Sequence, residues 1–184
     1  MRKLLTVVLM ALFSSVAVAN PQAQIPQLID EYKQPELYCM AQNIYFEAGT
    51  ESHMGKVAVA LVTLNRVRDT RFPNSVCEVV KQGPIRESWR TRQDSTLSED
   101  QREYHPVKNR CQFSWYCDGK SDEPFNGVGW RQAQEVAILT MILNQHRGLL
   151  EGATHYHADY VDPSWNKTKT LIATIDRHIF YRWD

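Results

Sequence analysis

Between Ser52 and Arg68 the chain carries Val57-Ala-Val-Ala-Leu-Val62, six consecutive apolar residues with no Gly or Pro from Lys56 onward. At about 3.6 residues per turn, six apolar positions cover every face of a helix, so this helix must be enclosed on all sides. Ser52 is a suitable N-cap for it. The fold is therefore expected to be built around one central helix spanning Ser52 to about Arg68, and the rest of the chain has to supply the wrapping.

Candidates for that wrapping recur at helical spacing. Leu37, Met40, Ala41, Ile44 and Ala48 mark a helix with Gly49 as its C-terminal cap, and Trp130, Ala133, Val136, Ala137, Thr140 and Met141 mark a long amphipathic helix running to Gly148. Asn74 or Ser75 caps a shorter helix through Val76, Val79 and Val80 that Gly83 ends. The period then changes. Ala153 to Ala158, Leu171 to Ile175 and His178 to Trp183 are rich in β-branched and aromatic residues, and Asp176-Arg177 can turn the last two into a hairpin. Residues 84–108 are polar with few apolar anchors and are expected to form a partly helical surface excursion. The predicted class is α+β: a mostly helical domain over residues 36–184, with a small antiparallel sheet formed largely by the C-terminal segment. Residues 20–35, rich in Gln and Pro, read as a flexible lead-in.

Residues 1–19 carry Arg2-Lys3, an apolar run from Leu4 to about Ser15, and Ala17-Val18-Ala19, the pattern of a cleaved export signal. The expectation is an exported protein, periplasmic or secreted to the wall, with no stable membrane insertion after cleavage. The full chain has 21 basic and 21 acidic residues. Cleavage removes Arg2 and Lys3 and no acid, leaving 19 basic against 21 acidic residues. The basic residues are interspersed with acids, so nothing argues for nucleic acid.

All four cysteines lie beyond the signal. An even count in an oxidising compartment favours disulfides, and of the three pairings Cys111–Cys117 with Cys39–Cys77 is preferred: the first closes a short loop and the second ties the first helix to a later one. Zinc is the competing use, but there is no CxxC pair.

Glu47 stands out among the carboxylates. It falls seven residues after Met40 and three after Ile44, on or beside the apolar stripe and close to the helix end. Burial and the negative end of the helix dipole both disfavour its charged form, and a retained proton is what a general acid needs. The plain alternative is a solvated helix-end Glu paired with a cation. Glu51 is either a second acid or a polar turn residue.

His155-Tyr-His157-Ala-Asp159 resembles the H-x-H-x-D-H zinc pattern of metallo-β-lactamases, with Tyr160 in the place of the last His. In a strand the three side chains share a face, as metal ligands or as a polar groove wall. Gln112-Phe113-Ser114-Trp115 sits between two cysteines, and its amide, hydroxyl and aromatic groups suit a carbohydrate site to which Tyr156 and Trp165 add surface. Alternatively, Phe113 and Trp115 are core. There is no G-x-S-x-G elbow and no Gly-rich phosphate loop.

These blocks together resemble the catalytic domain of the SleB/CwlJ cell wall hydrolases, which include spore cortex-lytic enzymes. The resemblance is carried by Ala41-Gln-Asn-Ile-Tyr-Phe-Glu-Ala-Gly49 with Glu51, Gly55-Lys-Val-Ala-Val-Ala-Leu-Val-Thr-Leu-Asn-Arg-Val67, Phe72-Pro-Asn74, Cys111-Gln-Phe-Ser-Trp115, Ala153-Thr-His-Tyr-His157 with Val161, Pro163 and Trp165, and His178-Ile-Phe180. It spans about residues 37 to 182. It implies a lysozyme-like peptidoglycan glycosidase acting between N-acetylmuramic acid and N-acetylglucosamine, with Glu47 at the matching acid position. The chain is expected to depart from that pattern in its longer 84–108 segment and in carrying no separate peptidoglycan-binding domain.

Glycoside hydrolysis ordinarily uses two carboxylates. One convincing candidate points instead to a lytic transglycosylase, in which Glu47 gives and then takes back a proton. Asn65, Gln112, Phe113, Ser114, Trp115, Tyr156, His157 and Trp165 are the candidates for binding sugar or orienting Glu47. The alternatives are a hydrolytic muramidase at the same site, a zinc amidase built on His155, His157 and Asp159, and a non-catalytic wall-binding module. The leading reading calls for no cofactor and no metal, takes glycan strands as partner, and expects a monomer.

Overall fold

A computed structural model describes residues 27–184; the expected export signal lies outside the described residues. Helix α1 (Pro35–Ala48) starts with Pro at its first position, where the missing N–H costs nothing, and buries Leu37, Met40, Ala41 and Ile44. Gly49 closes it in a right-handed conformation, and its lack of a side chain matters because a Cβ there would stand 2.5 Å from the Tyr45 carbonyl oxygen.

Helix α2 (His53–Arg68) is the central element. Val57 to Val62 are all at most 1% exposed, and the Ser52 hydroxyl accepts from Gly55 N at 3.2 Å to cap the helix. The run packs on α1, on α5 (Val128–Met141) and on the sheet. Short helix α3 (Val76–Val80) is held to α1 twice, by the Cys39–Cys77 disulfide and by Glu36, whose Oε2 accepts from Val76 N at 2.6 Å. That carboxylate occupies the free amides at the start of α3.

Strands β3 (Ala153–Ala158), β4 (Thr170–Ile175) and β5 (His178–Arg182) form an antiparallel sheet in the order β3-β5-β4. Asp176 takes a positive φ of 50° in the turn between β4 and β5, as the sequence pattern anticipates, and its carboxylate accepts from Ser52 N at 2.9 Å. The class is α+β, as expected. Both preferred disulfides, Cys39–Cys77 and Cys111–Cys117, are formed. Among the described residues no helix is long and apolar enough to cross a membrane.

Three expectations need correction. Helix α5 ends at Met141, not Gly148, because Asn144 and His146 adopt left-handed backbone and turn the chain away. The described part of the lead-in is docked: Ile29 is 1% exposed, and the buried Gln134 side chain accepts from Leu28 N and Ile29 N at 2.8 and 2.9 Å. The 84–108 excursion contains a second two-stranded sheet, β1 (Ile85–Glu87) with β2 (Tyr104–Pro106), alongside the single-turn helix α4 (Trp89–Arg92).

Candidate active site

Glu47 lies in the last turn of α1, where the apolar stripe carries it toward the sheet rather than into solvent. Tyr156 reaches it from β3, and its Oη donates to Glu47 Oε2 at 2.8 Å. Burial pushes the Glu47 carboxyl above the ordinary carboxylate value; the Tyr156 hydrogen bond and the positive charge of Arg66 pull the other way without cancelling it. Burial raises the Tyr156 phenol well above its usual value, so it stays protonated and serves as a donor.

Arg66, from the last turn of α2, lies beneath the strand. It is 5% exposed, its Nε donates to the Thr154 carbonyl at 2.8 Å, and its guanidinium stacks over Phe113 at 5.0 Å and Phe72 at 5.4 Å. No carboxylate forms an ion pair with it among the described residues, and its Nη1 has no hydrogen-bond partner. A buried cation without a counter-ion is costly, and its field falls on Glu47 and Tyr156.

A cleft of about 460 Å³ opens beside Glu47, lined further by Phe46, Trp115, Tyr156, Tyr160 and His178. Trp115 is placed by a buried polar chain. Its Nε1 donates to Asn43 Oδ1 at 3.0 Å, and Asn43 Nδ2 donates to Thr63 Oγ1 at 3.1 Å, so α1, α2 and the Cys111–Cys117 loop are fixed together. Phe46 stacks on the Trp115 ring at 4.7 Å between centroids. Burial lowers the His178 imidazole below its usual value, leaving it neutral at pH 7, and its buried Nδ1 has no partner among the described residues.

Ser114, Trp115 and Tyr156 thus converge with Glu47, while the other sequence candidates lie elsewhere. Asn65 donates to the Ala153 carbonyl at 3.0 Å and ties α2 to β3; Phe113 is core at 2% exposure; Gln112 is exposed outside the cleft. His157 and Trp165 belong to an aromatic cluster with His155, Tyr181 and Trp183, because alternation along β3 turns residues 155 and 157 away from the face that Tyr156 occupies. Glu51 does not line the cleft and accepts from Arg177 N at 3.4 Å.

The zinc pattern is not assembled. Among the described residues no three His, Cys, Asp or Glu side chains are grouped as a metal set. Both His157 ring nitrogens are engaged, with the Ala158 carbonyl at 2.9 Å and Tyr181 Oη at 3.1 Å, and Asp159 faces Arg177 at 3.7 Å. His155 stands near Lys169, Arg66 and Arg71, a field that repels a metal cation.

Asn43, Arg66, Asp118 and His178 complete the site although none was singled out for it. Asn43 was visible as an amide four residues before Glu47, on the same helix face. Asp118, on the far side of the disulfide loop, is a second carboxylate in the cleft. It accepts from Lys120 N at 2.8 Å and pairs with Lys120 Nζ at 3.3 Å, contacts that hold its carboxyl below the usual value.

The family model for cell wall hydrolases matches residues 50–181. The chain belongs to the cell wall hydrolase family. Among curated members it is similar to a spore cortex-lytic enzyme of Bacillus cereus, 40% identical over 60 residues, which are 33% of this chain and 23% of that protein. It therefore aligns with less than a quarter of that relative's length. Two solved structures share its fold at 24% identity and a TM-score of 0.53: the catalytic domain of the Bacillus cereus SleB protein, matched over 89% of this chain and 100% of that one, and the catalytic domain of a germination-specific lytic transglycosylase, SleB, from Bacillus anthracis, matched over 86% and 100%. The family match starts at Thr50, so Glu47 lies outside the matched residues.

Proposed function

We propose that this cell wall hydrolase is a lytic transglycosylase that cuts peptidoglycan glycan strands between N-acetylmuramic acid and N-acetylglucosamine, with Glu47 as both acid and base. The observation that carries the reading is the Glu47–Tyr156 pair. With Oε2 accepting from a phenol that does not ionise, the retained proton sits on Oε1, which has no other partner among the described residues. Oε1 gives that proton to the glycosidic oxygen as the bond to C1 of the muramic acid breaks, releasing the 4-hydroxyl of N-acetylglucosamine.

The Glu47 carboxylate so formed is transient, and Arg66 and Tyr156 stabilise it where it forms. It then removes the proton from the 6-hydroxyl of the same muramic acid. That oxygen closes on C1, giving a 1,6-anhydro end with no water consumed. Phe46 and Tyr160 offer apolar surfaces for sugar faces, with the largely buried Trp115 ring backing Phe46, and Ser114 and Ser121 offer hydroxyls for ring substituents. This is the reaction type that the name of the Bacillus anthracis fold relative records for that protein. Two disulfides suit action outside the cytoplasm, where the wall lies.

Asp118 favours a second reading, hydrolysis, in which it activates water against the same linkage. Its pairing with Lys120 weighs against that, since its charge is already engaged. Glu47→Gln keeps the shape of the side chain and cannot relay a proton. The variant is expected to fold and to lose about 100-fold to 10,000-fold in muropeptide release; near-normal release would reject the role.

A further inference from the structure

A second cleft, about 700 Å³, lies in the 84–108 excursion between β1, α4 and β2. Its wall carries Arg86, Arg90, Arg92 and Lys108, with His105. The carboxylates on the same wall are Glu87 and Glu103. Glu87 is already neutralised by Arg102, 2.6 Å away, whereas none of the four cations forms an ion pair among the described residues. Three arginines without an ion pair therefore share this wall with one free acid, Glu103, while Lys108 at its edge also feels the Asp118 carboxylate. Such a concave cationic patch attracts anions. Trp89, 62% exposed on the same wall with the Arg90 guanidinium 5.9 Å from its ring, adds apolar surface beside the charge.

The frame is held in place. Arg86 pairs with His105 across the small sheet, Ser88 N donates to the Glu103 carbonyl at 2.7 Å and Val107 N to the Pro84 carbonyl at 2.8 Å. The cleft also abuts the Glu47 site. Asn109 N donates to the Cys117 carbonyl at 2.9 Å, and Lys108 packs on Gly119, where a Cβ would stand 3.2 Å from Lys108 Nζ. The residues on either side of Gly119, Asp118 and Lys120, line the Glu47 cleft. Lys108 of the cationic wall thus stands against the chain segment that supplies Asp118 and Lys120 to the Glu47 cleft.

We propose that the 84–108 cleft binds the free carboxylates of the short peptides that hang from the wall glycan while the sugar backbone lies beside Glu47. The inference rests on the glycan reading of Glu47. Guanidinium groups hold carboxylates through paired N–H donors, and Trp89 packs against the apolar side chains of the peptide.

The test uses co-sedimentation of the Glu47→Gln protein with intact sacculi, and with strands from the same sacculi stripped of peptides by an amidase. Adding Arg86→Glu and Arg92→Glu is expected to weaken binding to intact sacculi about tenfold, to leave binding to stripped strands unchanged, and to leave the melting temperature near that of the parent. Arg86→Gln with Arg92→Gln is expected to fall between, and salt raised to about 0.5 M to weaken the parent. Equal binding of parent and charge-reversed protein to intact sacculi overturns the proposal. So does an equal loss on stripped strands, or a loss that follows removal of phosphate-bearing wall polymers instead of peptides. If wild type releases no muropeptides while the contrast between intact and stripped wall persists, the Glu47 reading fails and the cleft stands; normal release without that contrast removes the cleft alone.

Discussion

Tyr156 Oη donates to Glu47 Oε2 at 2.8 Å across 109 residues of chain, joining the end of α1 to the middle of β3. The sheet thereby sets the orientation of the helical acid. The bond favours the ionised form of Glu47, against the larger effect of burial. Removing the hydroxyl in Tyr156→Phe must therefore raise the Glu47 carboxyl further. If the reaction starts from the protonated acid, as proposed, the alkaline limb of the pH–activity profile is expected to move to higher pH while the maximal rate falls through lost orientation and lost stabilisation of the carboxylate. A profile recorded from pH 4 to 9 reads both; an unmoved limb would remove Tyr156 from the proton-holding apparatus.

Asp118 separates the two chemistries. If the 6-hydroxyl of the substrate is the nucleophile, Asp118→Asn retains activity within about threefold and leaves the product unchanged. A water-activating base would instead cost about 100-fold or more on the same substitution. Rates of muropeptide release from sacculi decide between them.

The Asn43 side chain supports Trp115 and bridges α1 to α2. Asn43→Ala leaves the buried indole N–H without an acceptor and is expected to cost about 2–3 kcal/mol in chemical unfolding, since an unsatisfied buried donor alone costs about 1–3 kcal/mol. At temperatures where the variant is folded, the loosened Trp115 should raise KM more than it lowers kcat. A stability change within about 0.5 kcal/mol would show that the polar chain does not hold the cleft wall.

His155 predicts an acid-side loss of stability. Burial first, then the cations Lys169, Arg66 and Arg71, against Asp69, lower its imidazole from 6.5 to about 4. Between those values the unfolded chain binds the proton and the folded chain does not, so stability is full above about pH 6.5, falls as pH drops through the window, and levels off below about pH 4. His155→Phe should flatten that part of the curve in thermal melts from pH 7.5 to 4. An equally steep fall in the variant would place the acid sensitivity elsewhere.

The central helix was legible because six all-round apolar residues admit no other placement than enclosure. Glu47 was legible for a related reason: helical spacing ties its direction to that of Met40 and Ile44. The strand candidates divided according to alternation, which faithfully separates Tyr156 from His155 and His157 but cannot say which face meets the acid. The site residues that went unnoticed depend on tertiary approach. Arg66 looks like a helix-end cation until Thr154 and Phe113 close over it, and Asp118 enters the cleft only because the Cys111–Cys117 loop folds back toward α1. The turn of α5 at Asn144 was missed because left-handed backbone at Asn and His carries no hydrophobic signature.

Mass spectrometry of muropeptides released from sacculi by wild type, with Glu47→Gln digested in parallel, tests the proton cycle of Glu47 most directly. Hydrolysed ends are heavier by one water than 1,6-anhydro ends. The account predicts anhydro ends from wild type, with release falling by about 100-fold or more in Glu47→Gln. Purely hydrated ends, or anhydro ends that Glu47→Gln still produces at the wild-type rate, would contradict it.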